Sequence, residues 1–249
     1  MTDELVHYEV ADGIATITLD SPKNRNALSR RLVTGLFEAL DRAEEAAEAK
    51  VVLIRSADRV FCSGADLSEA ADGGMEEGTR ALVALQRRIV THARPVVTRL
   101  AGPVRAGGLG IVAASDVVLC SEDVTFAFTE SRLALAPAVI SLTVLPRLTS
   151  RAAAETFLTG RTFDAREAAA MGLVTRAVPA DELDAAVADV CAELARAHPQ
   201  GLRETKALLA RELVENIDAH AEEMAELSAR LFGSDEAREA MTAFLTRRK

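Results

Sequence analysis

Two short stretches of small residues carry the clearest chemical signal in this chain. Phe61-Cys62-Ser63-Gly64-Ala65-Asp66-Leu67 follows an apolar run at 51–54. Ala106-Gly107-Gly108-Leu109-Gly110 follows a second apolar run that starts after Pro95. Glycine and alanine at such turns let a ligand approach the backbone closely. Amides that open a helix favour negative charge developing in front of them. Two such amides from two turns can converge on one oxygen as an oxyanion hole. A glycine-rich turn is also an ordinary structural device, so each turn alone leaves both readings open. Other chemistries find less support. No His occurs between His92 and His198, and no Gly-x-Ser-x-Gly elbow is present, which argues against a Ser-His hydrolase. His7, His92, His198 and His220 are far apart and form no zinc-ligand spacing, so no metal site is expected.

The elements that must hold these turns read as alternating strands and helices. Residues 14–19 (Ile-Ala-Thr-Ile-Thr-Leu) alternate as a half-buried strand does, and Asp12-Gly13 before them reads as a hairpin turn after residues 6–10. Leu28, Leu32, Val33, Leu36, Phe37 and Leu40 recur at helical spacing, and the pattern runs on to about Ala49. Residues 51–54 are continuously apolar, which fits a strand covered on both faces. A mobile loop is expected at 68–78, then a helix marked by Leu82, Leu85, Ile89 and Val90. A strand over 95–100, a helix over 106–114 and short strands at 117–120 and 124–128 follow. Beyond 141 the pattern is helical, with Asp164 capping one helix and a brief strand at 174–178. Strand, turn and helix at 51–68 repeat at 96–114. The expected organisation is an α/β core over 1–198 and a C-terminal helical segment over 199–249. In that segment Leu208, Leu209, Leu213, Ile217, Met224, Leu227 and Leu231 predict an apolar face that covers the core or another subunit.

Composition narrows the partners. The chain has 249 residues, 49% of them hydrophobic, which is enough to build a large core without staples. Lys and Arg number 29 against 38 Asp and Glu, a formal net charge of −9, and there is no Trp. An acidic chain with few stacking residues is a poor general nucleic-acid binder. It still accepts anionic ligands where local charge opposes the global balance. No apolar run reaches membrane-span length, and the N-terminus lacks a signal-peptide pattern. The scattered Cys62, Cys120 and Cys191 read as buried free thiols, which fits a reducing cytoplasm.

Taken in order, the motifs resemble one family. They are Ala-Thr-Ile-Thr-Leu-Asp-Ser-Pro at 15–22, Asn26-Ala27-Leu28-Ser29, the 61–67 turn, Gly102 with Ala-Gly-Gly at 106–108, and Ala-Ser-Asp116. Phe126, Glu130-Ser-Arg-Leu133 and Pro137 come next, then Phe157-Leu-Thr-Gly160 and Ala-Ala-Ala-Met-Gly-Leu-Val174. The series looks like the enoyl-CoA hydratase/isomerase, or crotonase, family across residues 10 to about 180. The resemblance implies a spiral of repeated ββα units with a C-terminal helical trimerisation region. It implies a coenzyme A thioester substrate, no separate cofactor, and a homotrimer or dimer of trimers. The family's common step stabilises a thioester enolate on two backbone amides, here those of Ala65 and Gly107 by motif position.

The hydratase pattern also carries two glutamates. One falls in the Phe-x-x-x-Glu motif, here Glu130. The other lies three residues beyond the second amide, where this chain has Gly110. One carboxylate suits double-bond migration, which takes a proton at one carbon and returns it at another. Hydration stays open, as does a non-catalytic acyl-CoA binding protein. A surface salt bridge to Arg132 is the structural alternative for Glu130. Arg25, with Lys23 beside it, resembles the basic position that meets the coenzyme A phosphates. Ala27, Ser63, Leu67 and Pro137 line the expected substrate path. Asp66 either takes part or caps the next helix. Arg105 either meets a substrate carboxylate or makes a structural ion pair. Phe244 and the Arg247-Arg248-Lys249 cluster resemble a segment that reaches the adenine and phosphates. Residues 136–141 resemble members near the methylglutaconyl-CoA hydratases, so a branched acidic acyl group stays in play.

Overall fold

Alternating strands and helices wind into two sheets. The computed structural model describes residues 4–69 and 75–246. The larger, six-stranded sheet runs in the order β1 (Val6–Ala11), β2 (Ile14–Leu19), β3 (Val51–Ser56), β4 (Val96–Leu100), β6 (Val117–Ser121) and β9 (Arg176–Val178). Only β1 and β2 pair antiparallel; the other neighbours are parallel. Their hairpin turns on Asp12 (φ 52°) and Gly13 (φ 80°), the two positive φ angles that a tight two-residue hairpin demands. The smaller sheet orders β5 (Val104–Arg105), β7 (Thr125–Ala127) and β8 (Phe163–Asp164).

Helices cover both faces of the larger sheet. On β3, Val52 and Ile54 face the main core, which also takes Leu32, Leu36 and Leu40 of α1 (Arg30–Glu45). Val51 faces a second cluster with Leu183, Val187 and Cys191 of α7 (Leu183–Arg196). This is the two-sided cover that a continuous apolar strand requires. Ser29 caps α1, its Oγ accepting from the Leu32 amide, and Asp164 and Glu167 form a capping box on α6 (Ala165–Ala170). Cys62, Cys120 and Cys191 are buried free thiols.

Several boundaries differ from expectation. Helix α2 (Met75–Thr91) begins inside the segment predicted as a loop; residues 70–74 of that segment lie outside the described residues. Helix α3 spans Gly108–Ala114, and β9 is shorter than the predicted strand. Helix α8 (Pro199–Phe232) lies on α2 and on α4 (Ala138–Val144). Its buried side is Lys206, Leu213, Ile217, Ala225 and Ser228. Leu208 and Leu209 do not belong to it; they are 64% and 82% exposed. At 100° per residue Leu208 falls on the opposite side of the helix from the Lys206–Leu213–Ile217 stripe, while Leu209 stands at the edge of that stripe. A last helix, α9 (Asp235–Thr246), packs against the 3-10 turn Glu130–Leu133. No helix among the described residues is long and apolar enough to cross a membrane.

Candidate active site

The two glycine-bearing turns lie side by side. Phe61 donates to the carbonyl of Pro103 (3.1 Å) and Arg105 to that of Cys62 (3.0 Å), which sets Cys62 against Val104 as a parallel bridge. On the other flank Leu28 donates to the Gly64 carbonyl at 2.8 Å, and Leu28 bridges Ala65. Gly64 adopts φ +99°, and a Cβ there would come within 3.0 Å of the Ala106 Cβ. Both its backbone angle and its neighbour therefore exclude a side chain. Ala106 itself holds φ 44°, a strained angle for alanine that turns the chain into Gly107.

This packing brings two amides together. A Cβ on Gly64 would lie 3.7 Å from the Gly107 nitrogen, and a Cβ on Gly107 would lie 3.8 Å from the Ala65 nitrogen. Neither N–H donates to a protein acceptor among the described residues. Two unspent donors on adjoining turns can hold one anionic oxygen. Apolar side chains flank the place: a Cβ on Gly107 would meet Leu28 Cδ1 at 3.0 Å and Leu82 Cδ2 at 3.2 Å.

Glu130 opens the 3-10 turn that follows β7. Its Oε2 is buried and has no hydrogen-bond partner among the described residues. Burial pushes its carboxyl up to about 7, against the smaller downward pull of its own amide. Arg132 does not pair with it; the guanidinium donates to the Thr159 carbonyl at 3.0 Å. The structural salt bridge considered for Glu130 is therefore not formed. A buried carboxyl poised near neutrality can both take and give a proton.

The remaining predicted residues fall into three groups. Around the first turn, Arg25 is exposed at φ 59°, and its carbonyl accepts from the Ser63 amide at 3.1 Å. The Ser63 hydroxyl is spent on the Asn24 carbonyl (3.0 Å). Ala27 is buried, and Leu67 is partly buried. The buried Asn26 braces the loop, accepting from Ser21 N at 2.7 Å and donating to the Val60 carbonyl at 2.9 Å. Asp66 does not cap α2, which starts only at Met75. It accepts instead from the Ser68 amide and hydroxyl and from Asn24 Nδ2 (3.0 Å). Burial acts to raise its pKa, but these bonds outweigh it and hold the carboxyl below its usual range.

Arg105 forms no ion pair among the described residues. Its guanidinium donates to the Val104 carbonyl (2.9 Å), the Thr125 carbonyl (2.5 Å) and Thr125 Oγ1 (2.8 Å). It ties β5 to β7, with backbone oxygens in place of a carboxylate. Pro137 stands at the start of α4 and Phe244 on α9, 39% exposed. Lys23 lies on the short 3-10 turn Pro22–Asn24. The Arg247-Arg248-Lys249 cluster lies outside the described residues.

Three contributors escaped the sequence reading: Leu28 and Leu82 beside the amides, and Gln86 beside Gly110. Gln86 and Thr79 are the polar residues on the otherwise apolar buried side of α2, and that is the signal the sequence offers for Gln86. Among the described residues no group of three His, Cys, Asp or Glu side chains could hold a metal ion.

A family model described as enoyl-CoA hydratase/isomerase matches residues 9–249. The fold is similar to that of an enoyl-CoA hydratase from Mycobacterium avium, with a TM-score of 0.91 and 44% identity over 99% of this chain and 98% of that one. Among curated relatives, 4-chlorobenzoyl coenzyme A dehalogenase-2 of an Arthrobacter species is 32% identical over 81% of this chain and 76% of its own length. The peroxisomal Delta(3,5)-Delta(2,4)-dienoyl-CoA isomerase of Arabidopsis thaliana is 27% identical over the whole chain and 95% of its own length. Relatives with such different reactions share one frame, and this chain belongs to the enoyl-CoA hydratase/isomerase family.

Proposed function

We propose that the protein is an acyl-CoA enzyme that moves a double bond in an enoyl-CoA thioester. The observation that carries this reading is the buried Glu130 carboxylate, whose Oε2 has no partner among the described residues, on the chain that pairs with the strand leading into the Gly107 turn. In this scheme the thioester oxygen of a 3-enoyl-CoA sits between the Ala65 and Gly107 amides. Glu130 takes a proton from the α-carbon, and the charge moves onto the thioester oxygen, where the amides meet it. The protonated Glu130 then returns the proton to the γ-carbon, leaving the 2-enoyl thioester. Coenzyme A belongs to the substrate, and the scheme calls for no further cofactor. Arg25 and Lys23 supply positive charge for its phosphates. Ala27, Leu67, Pro137 and Phe244 complete the path of the thioester.

Hydration of a 2-enoyl-CoA is the second reading, favoured by the hydratase relative of closely similar fold. A panel of 2-enoyl and 3-enoyl thioesters tests both. Migration faster than water addition supports the proposal. Tight binding with no turnover of any member would make the chain a non-catalytic acyl-CoA binder. The exposed Leu208 and Leu209 support assembly into a trimer or a dimer of trimers. Light scattering that returns the single-chain mass of 26.5 kDa would contradict that part.

A further inference from the structure

One wall of the site is built from α2 where α3 has no side chains. Gly107 and Gly110 are three residues apart and share a face of the chain entering α3. Leu82 and Gln86, four apart on α2, lie against that face. A Cβ on Gly107 would meet Leu82, as described above. A Cβ on Gly110 would lie 2.9 Å from both Gln86 Cδ and Gln86 Oε1, and 3.0 Å from Ile140 Cγ2. The volume in front of position 110 is therefore already filled.

Gln86 is fully buried and its amide is engaged. Nε2 donates to the Leu82 and Val139 carbonyls, each at 3.2 Å, and Oε1 accepts from Thr143 Oγ1 at 2.6 Å. These bonds span α2 and α4, so the side chain is not a loose end that swings away. Glycine at 110 has a cost, since alanine is about 1 kcal/mol better inside a helix. The packing against Gln86 explains why that cost is borne.

We propose that Gln86 determines the reaction specificity of this site. Its side chain occupies the space into which a residue at 110 would project, so this side of the site is closed by an engaged amide and Glu130 is left as the one acid–base group. The inference rests on the functional reading above.

A substitution cycle separates the two. Gly110→Ala should lower Tm by roughly 5 °C in the wild-type background, as overpacking does. In a Gln86→Ala background the same change should leave Tm unchanged or raise it. Should the double variant prove too unstable to purify, Gln86→Ser provides the smaller residue with a hydroxyl. The second readout is the product ratio. Gly110→Glu combined with Gln86→Ala should raise water addition relative to double-bond migration by about tenfold or more. Gly110→Glu with Gln86 retained should leave the ratio near the wild-type value, and an equal rise in both backgrounds would show that Gln86 does not set it. Equal Tm losses in both backgrounds overturn the proposal. So does a strong Tm coupling with an unmoved product ratio, which would reduce Gln86 to packing. A wild type that turns over none of the panel sinks the functional reading, and the specificity claim with it, whatever the melting cycle shows.

Discussion

The backbone amide of Ala106 donates to the carbonyl of Ala127 at 3.1 Å. That bond continues the pairing of β5 with β7 one residue past the end of β5, onto the last residue of β7. Gly107 is the next residue on one side, and Glu130 lies three residues on along the other. The donor turn and the acid–base group are thus built on the same short sheet, so their relative position follows from strand register.

The first consequence is a pH profile. Glu130 must be ionised to take a proton from carbon, and its carboxyl sits at about 7. The rate constant kcat/KM for migration should rise with pH through about 7 and level off above it. A profile that is flat from about pH 5 to about pH 9 would remove Glu130 as the base.

The same burial costs stability. Between the ordinary glutamate value of 4.5 and about 7, the folded chain keeps a proton that the unfolded chain gives up. Stability therefore falls as pH rises through that window. Above it the penalty is on the order of 3 kcal/mol. Glu130→Gln should raise Tm at about pH 8 and lose that advantage at about pH 4. An equal gain at both pH values would show that ionisation is not its source.

A buried lysine paired with a partly exposed aspartate fastens α8 to the core. Lys206 Nζ lies 2.7 Å from Asp116 Oδ2 and donates to the carbonyls of Ile89 (2.9 Å) and Arg94 (3.2 Å). Burial acts first on this lysine and lowers its pKa, with Asp116 opposing. Lys206→Met should cost about 1–3 kcal/mol in denaturant unfolding, because the Ile89 and Arg94 carbonyls lose their donor while Asp116 keeps the Val96 amide at 2.7 Å. An unchanged unfolding midpoint for Lys206→Met would contradict this account.

Arg25 gives a test of the coenzyme A end. Its backbone shapes the first turn through the bond to Ser63, while its side chain is exposed. Arg25→Ala should weaken acyl-CoA binding by roughly tenfold, with less effect at high salt. Binding of the same acyl group on a truncated thiol should change little. Equal loss for both ligands would place Arg25 away from the phosphates.

What could be read in the sequence follows from physics local to the chain. Strand β2 was legible because alternation and Asp12-Gly13 act within a few residues. So was the Asp164 cap, whose partner Glu167 is one turn away. The start of α2 was not, because Met-Glu-Glu-Gly carries a helix-weakening glycine in its first turn. The distance from Asp66 to Met75 also separates that aspartate from the first turn of α2. Arg105 misled for another reason: a guanidinium invites a carboxylate, but the backbone oxygens of Thr125 and Val104, which no residue type announces, hold it. Gln86 and Gly110 are far apart in the sequence, and their competition for one volume exists only in the folded chain.

The central claim is that one carboxylate carries the proton. Glu130→Gln keeps the shape of the side chain and removes its ability to shuttle a proton, so the decisive measurement is turnover of a 3-enoyl-CoA by this variant beside its affinity for a saturated acyl-CoA. The account predicts a loss of about a hundredfold or more in kcat with affinity nearly unchanged. Turnover close to that of the wild type would contradict it and return attention to Asp66, the other carboxylate at the first turn.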